Sequence, residues 1–317
     1  MENPFVDTQW LWEHLNDPGI RIVDLRCTSA FATGKNVLEA CREDYVDGHI
    51  PGAVFLDCLH DLTDPSFQFI AFVSPPEHFS EVMSRAGIGD GTLVVVYDDG
   101  PLPLASARLW WTLHYYGHTE VKILDGGFLQ WVWEDRPLSK DVPTVPRKTF
   151  TPKIQAAIRA TKETVRRSLG DPGTVLVDCL PFEQYNGSVS NAWGVRKGHI
   201  PGAVCLPYLA TGMGMEKAYS NEARMEAVNS DHPLHFLPIE ELRALFTHLG
   251  VGSGKRVITY CGKGYASCNV FLALKLIGFR DATVYDGSIA EWSRDRNLPM
   301  EKSEETTQIN EKEKHNG

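Results

Sequence analysis

Cys261, Gly262, Lys263 and Gly264 stand in a row, followed by Tyr265, Ala266 and Ser267. A cysteine thiolate is a strong nucleophile that is accessible near neutral pH. Glycines on both sides of a lysine let the backbone curl until successive N–H groups face one anion. Lys263, two residues from the sulfur, adds a mobile positive charge. Attack by Cys261 on an anionic donor is the chemistry this spacing suits, with Gly262, Lys263, Gly264, Tyr265, Ala266 and Ser267 around the donor. Ser267 is expected to cap the next helix before it serves the sulfur. Tyr265 is expected either to wall the site or to pack at a domain boundary.

The neighbouring sequence supplies the elements that must hold this loop. Val257-Ile258-Thr259 is an apolar run that reads as a buried strand, and Ser267 to Leu276 reads as a helix. Cys261 therefore sits at the carboxyl end of a strand, where the turn into a helix presents N–H groups to an anion. Enzymes that transfer phosphoryl groups through a cysteine build a related cradle, but they need an arginine fork six residues on. Ser267 occupies that position, so a group smaller than a phosphoryl is favoured.

The chain repeats itself. Gly48-His49-Ile50-Pro51-Gly52-Ala53-Val54 recurs identically from Gly198 to Val204, and Val94-Val95-Val96-Tyr97-Asp98 recurs as Val257-Ile258-Thr259-Tyr260-Cys261. Ile123-Leu124-Asp125-Gly126-Gly127 recurs as Val284-Tyr285-Asp286-Gly287-Ser288. Three matches in one order indicate duplicated α/β domains, each a mostly parallel sheet flanked by helices. The expected boundaries are 1–136 for a non-catalytic domain, 137–152 for a proline-rich linker, 153–300 for the catalytic domain and 301–317 for a polar tail without fixed structure. Asp98 replaces the cysteine in the first copy, which leaves that copy to cover the site. The stretch from Ala210 to Pro238 does not repeat and reads as an excursion bordering the site.

Other candidates are weaker. His49 and His199 belong to identical turns, one in a copy without the cysteine, and so read as structural. Arg196, just before the second turn, is the best additional basic residue for binding substrate. Tryptophans, Trp193 among them, read as core or interface anchors. Seven cysteines without CxxC pairs suit buried thiols in a reducing compartment, and no metal or organic cofactor is implied. The net charge of −10 argues against a nucleic-acid or anionic-membrane surface. The amino terminus has neither a secretory nor a matrix-targeting pattern, so a cytoplasmic location is expected.

Residues 5–298 resemble a tandem-domain rhodanese, the family of thiosulfate and 3-mercaptopyruvate sulfurtransferases. The likeness rests on both GHIPGA turns, the SPPEHF stretch from Ser74 to Phe79, the ARLWW stretch from Ala107 to Trp111, the DGG and DGS turns and the loop from Cys261 to Ala266. It implies two tandem rhodanese-like domains and a persulfide formed on Cys261. The implied partners are a small anionic sulfur donor, a thiol or cyanide acceptor, and a thiol-reductant protein. Lys263 matches the thiosulfate branch, Cys-Arg-Lys-Gly, whereas Gly262 and Gly264 match the mercaptopyruvate branch, Cys-Gly-Ser-Gly. Thiosulfate is the favoured donor, 3-mercaptopyruvate the alternative, and a rhodanese-like binding or regulatory protein the alternative from a different class.

Overall fold

The computed structural model describes residues 3–28, 39–191, 193–215 and 232–303. Two five-stranded sheets carry the architecture. The first contains β1 (Phe5–Val6), β2 (Ile20–Asp24), β3 (Val54–Phe55), β4 (Leu93–Tyr97) and β5 (Val121–Leu124), in the order β1-β5-β4-β2-β3. The second contains β6 (Arg159–Ala160), β7 (Thr174–Asp178), β8 (Val204–Cys205), β9 (Arg256–Tyr260) and β10 (Ala282–Tyr285), in the order β8-β7-β9-β10-β6. All pairings within these two sheets are parallel. This is the tandem α/β architecture expected from the repeat, down to register: Asp24 faces Tyr97 and Asp178 faces Tyr260. β4 and β9 are central strands covered on both faces, hence their nearly continuous apolar runs.

Helix α1 (Ala105–Tyr115) follows β4, and α2 (Ala266–Leu276) follows β9. Both are buried along most of their length, because each packs on its own sheet and against the other. Trp110 and Phe271 meet between them with ring centroids 6.3 Å apart. An amphipathic stripe would not serve two partners, and these helices are accordingly apolar nearly all round.

The repeated turns are locked alike. His49 stacks on Tyr45 and His199 on Tyr185, at 4.0 and 3.8 Å, and each ring Nδ1 bonds the carbonyl of its own tyrosine. The tyrosine hydroxyls donate to Ala53 O and Ala203 O. Gly198 has φ +101°, and a Cβ there would lie 2.0 Å from Glu301 O, so only glycine fits.

Residues 137–152 form no helix or extended strand. They run against the first half, with Phe150 buried on Phe79 and Asp90 N–H donating to Thr149 O. Of the Ala210–Pro238 excursion, residues 216–231 lie outside the described residues, as do residues 304–317 of the tail. Among the described residues no helix is long and apolar enough to cross a membrane.

One buried charge differs between the copies. Asp24 pairs with Arg26 at 2.9 Å and accepts from Tyr97 Oη at 2.7 Å, whereas Leu180 stands in the place of Arg26 beside Asp178. Burial without that cation pushes the Asp178 carboxyl up to about 7. Between the ordinary carboxylate range and about 7 the native protein holds a proton that the unfolded chain has released. Stability contributed here is full at acid pH and is lost as pH rises through that window, by about 1.4 kcal/mol per pH unit at most. Asp178→Asn is expected to flatten the fall in urea-unfolding free energy between pH 5 and 8, and an unchanged slope would refute the assignment.

Candidate active site

Cys261 follows the last residue of β9 and is 3 % exposed. Its sulfur accepts the Gly264 N–H at 3.1 Å and lies 3.7 Å from Ser267 Oγ. The loop carbonyls are tied elsewhere: α3 (Ser288–Trp292) donates Ile289 N–H to Cys261 O at 3.0 Å and Ala290 N–H to Gly262 O at 3.1 Å. Because a trans peptide points its N–H opposite its C=O, this turns the next two loop N–H groups away from α3. Ser288 completes the clamp, accepting from Cys261 N–H at 3.1 Å and donating to Tyr285 O at 2.8 Å. It does so at φ +52°, a left-handed conformation that costs a non-glycine residue about 1 kcal/mol. Its counterpart Gly127, φ +57°, adopts it freely.

The other cysteines behave differently. The thiols of Cys179, Cys205 and Cys268 donate to the carbonyls of Val177, Leu180 and Gly264. Burial pushes all three up, Cys268 to about 12, which keeps them protonated. Cys261 sulfur receives a backbone N–H and has the Ser267 hydroxyl, not a carbonyl, as its other partner. Cys27, Cys58, Cys179, Cys205, Cys261 and Cys268 form no disulfide.

The first half shows what such a loop holds. Asp98, at the position of Cys261, places Oδ2 on Leu104 N–H, Ser106 N–H and Ser106 Oγ at 2.9, 2.8 and 2.9 Å. Ser106 corresponds to Ser267. The strand-loop-helix corner thus receives a side-chain acceptor in both copies, an oxygen in one and a sulfur in the other.

Ser267 does not cap α2, contrary to expectation. The helix begins at Ala266 with Tyr265 in the cap position, which puts Ser267 in the first turn, fully buried and near the sulfur. Tyr265 packs at the domain boundary, its hydroxyl donating to Cys58 O at 2.5 Å. Two further contacts between the halves are reciprocal: Arg108 of α1 donates to Gly264 O at 3.3 Å, and Asn269 of α2, its counterpart, donates to Pro103 O at 2.9 Å. Arg108 also reaches Ala71 O at 2.9 Å, and Asp286 accepts from Val73 N–H at 2.8 Å. The first half therefore buttresses the loop.

Arg196, expected to bind substrate, is committed elsewhere. Its guanidinium donates to the carbonyls of Ser293, Leu298, Trp292 and Asp295 at 2.7 to 3.2 Å, closing the chain beyond α3. A guanidinium so occupied is a structural clasp. Sequence reasoning instead missed Arg294, whose Nη1 donates to Trp193 O at 2.7 Å and Ala290 O at 2.5 Å. Trp193 also forms part of the site: a Cβ on Gly262 would lie 2.3 Å from its Cδ1, and Lys263 Nζ sits 4.1 Å from its ring centroid. Burial, and then the charge of Arg294, hold Lys263 below the usual lysine range. The replacement of Gly127 by Ser288 was a visible signal, because only the copy with the cysteine carries the extra hydroxyl.

A family model described as Rhodanese-like domain matches residues 7–134 and 161–295. The 3-mercaptopyruvate sulfurtransferase of Escherichia coli (strain K12) is 31% identical over 300 residues, which is 94% of this chain and 97% of that protein. The thiosulfate sulfurtransferase of Gallus gallus is 32% identical over 254 residues, 79% of this chain and 80% of that protein. Among solved structures, SseA from Escherichia coli, a 3-mercaptopyruvate sulfotransferase, superposes with TM-score 0.74 at 30% identity, covering 90% of this chain and 98% of that one.

Proposed function

The chain belongs to the rhodanese family and is a sulfurtransferase that works through a cysteine persulfide; from that premise we propose that Cys261 carries the sulfur and that thiosulfate donates it. The observation that carries the assignment is the Gly264 N–H aimed at Cys261 sulfur at 3.1 Å, in a corner whose counterpart holds the Asp98 carboxyl. The Cys261 thiolate attacks the outer sulfur of thiosulfate. A new S–S bond forms to Cys261, the S–S bond of thiosulfate breaks, and its electron pair leaves with sulfite. Cyanide or an acceptor thiolate then attacks the outer sulfur of the persulfide, forming thiocyanate or a new persulfide and returning the electron pair to Cys261. Inward N–H groups from Gly262 to Ser267 stabilise the negative sulfur in both steps. A thiol 3 % exposed suits a donor that offers a terminal sulfur atom, since no bulky centre has to reach it.

Lys263 supports thiosulfate as the donor: it places a positive charge beside the loop, and the compact dianion gains from it more than a singly charged donor does. Arg196, spent on four carbonyls, offers nothing to a carboxylate. We assign catalysis to residues 153–300 and buttressing to residues 1–136, joined by 137–152. The acceptor is a small thiol, cyanide or a thiol-reductant protein, and a reducing, cytoplasmic setting suits thiols such as Cys179, Cys261 and Cys268 that form no disulfide. A second reading, 3-mercaptopyruvate as donor, is favoured by Gly262, which stands where the thiosulfate branch carries arginine. Steady-state sulfur transfer with each donor offered separately decides between them. The expected result is a kcat/KM for thiosulfate at least tenfold above that for 3-mercaptopyruvate, and the reverse ratio overturns the donor assignment. Absence of any persulfide with either donor would instead favour a binding or regulatory role.

A further inference from the structure

Two cations meet on one tryptophan beside the Cys261 loop. Lys263 Nζ lies 4.1 Å from the Trp193 ring centroid, and Arg294 Nη1 donates to the Trp193 carbonyl at 2.7 Å and to Ala290 O at 2.5 Å. The Arg294 guanidinium lies over the Phe69 ring, 5.3 Å from its centroid, and Phe69 comes from the first half of the chain. Both cations are partly desolvated, Arg294 depresses the Lys263 ammonium, and no carboxylate among the described residues offsets either charge. Bringing like charges together away from water costs free energy that a bound anion recovers. The indole face of Trp193 and the phenyl face of Phe69 hold the two cations by their ring quadrupoles.

We propose that Arg294 and Lys263 together clamp the anionic group of the sulfur donor, a sulfonate or carboxylate, while its terminal sulfur reaches Cys261. A guanidinium has five N–H donors. The two on Arg294 Nη1 go to protein carbonyls and fix the group, which leaves Nε and Nη2 to face a ligand. The Trp193 indole is seated directly on Gly262, so the clamp and the nucleophile share one rigid wall. Arg294 also lies two residues beyond α3, whose N–H groups hold the Cys261 and Gly262 carbonyls. This clamp rests on the assignment of Cys261 as the sulfur carrier, but it does not depend on which of the two donors is used.

The test separates the two claims. In a Cys261→Ser background, which binds donor without turnover, calorimetric titration of thiosulfate and of 3-mercaptopyruvate is compared with and without Arg294→Gln. Arg294→Gln is expected to weaken the tighter-binding donor about tenfold to hundredfold, the loss of one charge-assisted contact, and Arg294→Lys to restore most of it. In the enzyme with Cys261 intact, KM should rise by a similar factor with kcat within about threefold. The alkaline limit of donor binding should move to higher pH in Arg294→Gln, because Lys263 is then relieved of the neighbouring charge, and should stay in place in Arg294→Lys, which keeps it; the rise in KM at nearly constant kcat is what a merely structural arginine would not produce. Equal affinity in the Cys261→Ser background and in its Arg294→Gln derivative, or a loss of kcat at unchanged KM, overturns the clamp. If 3-mercaptopyruvate is the tighter ligand, the clamp stands and the donor assignment falls.

Discussion

Cys261→Ser is expected to lower sulfur transfer from either donor by roughly ten-thousandfold or more, and the protein incubated with thiosulfate should gain no mass from bound sulfur. Serine preserves the shape of the side chain, and its hydroxyl can still accept the Gly264 N–H that now lies 3.1 Å from the sulfur. Folding should be little affected, so the thermal midpoint should stay within a few degrees of the parent. What is lost is the nucleophile: an alcohol is not ionised near neutral pH, and its oxygen cannot store sulfane sulfur. The remaining cysteines offer no substitute in the same corner, since Cys179 and Cys268 are buried and donate to carbonyls. Intact-mass analysis after thiosulfate treatment checks both halves of the claim. A persulfide that persists in the variant would move the reaction to another cysteine and dismantle the site as described.

The second large effect is expected at Gly264. This residue sits at φ +85°, where an L side chain costs about 1 to 2 kcal/mol, and a Cβ would lie 2.8 Å from Arg108 Nη1 and 3.0 Å from Asp286 O. Neither neighbour can yield cheaply. Arg108 is fully buried and spans Gly264 O and Ala71 O, and Asp286 accepts from Val73 N–H and pairs with Arg159 at 3.0 Å. Gly264→Ala must therefore rotate the peptide that presents its N–H to the sulfur. Loss of one such preorganised donor lowers kcat by about a hundredfold to a thousandfold, and the persulfide should decay faster in single-turnover experiments. Gly250→Ala is the control, since Gly250 has φ +80° but open space around its Cβ position. It should bear the same backbone cost and keep full activity. Comparable losses in both variants would mean that stability, and not the aimed N–H, explains the Gly264 result.

Much of this molecule is legible in its sequence. Apolar runs such as Leu93–Tyr97 and Val257–Thr259 mark central strands because both sheet faces are covered, and the recurring Gly-His-Ile-Pro-Gly-Ala turn exposes the duplication. That duplication in turn isolates Cys261, since its counterpart is Asp98. Such signals are short-ranged: backbone dihedrals and burial patterns depend on residues within a turn or two. The same short range misleads at Ser267. Cap preference is a local tendency, and an α2 that starts one residue earlier than expected carried the hydroxyl from the cap into the first turn beside the sulfur.

Long polar side chains were decided only by tertiary structure. Arg196 looks like a substrate ligand because it precedes the repeated turn, yet its guanidinium finds carbonyls 96 to 102 residues away. Arg294 carries no motif and still arrives beside Lys263, because α3 is docked on the Cys261 loop and Trp193 lies against Gly262. Tyr265 meets Cys58 across 207 residues, and Arg108 meets Gly264 across 156. The sequence alone determined the cysteine-bearing loop and the doubled scaffold, which follow from local chain geometry and apolar periodicity. Tertiary structure decided which charges gather beside the Cys261 loop, because electrostatic contacts act through space between segments that the chain order keeps far apart.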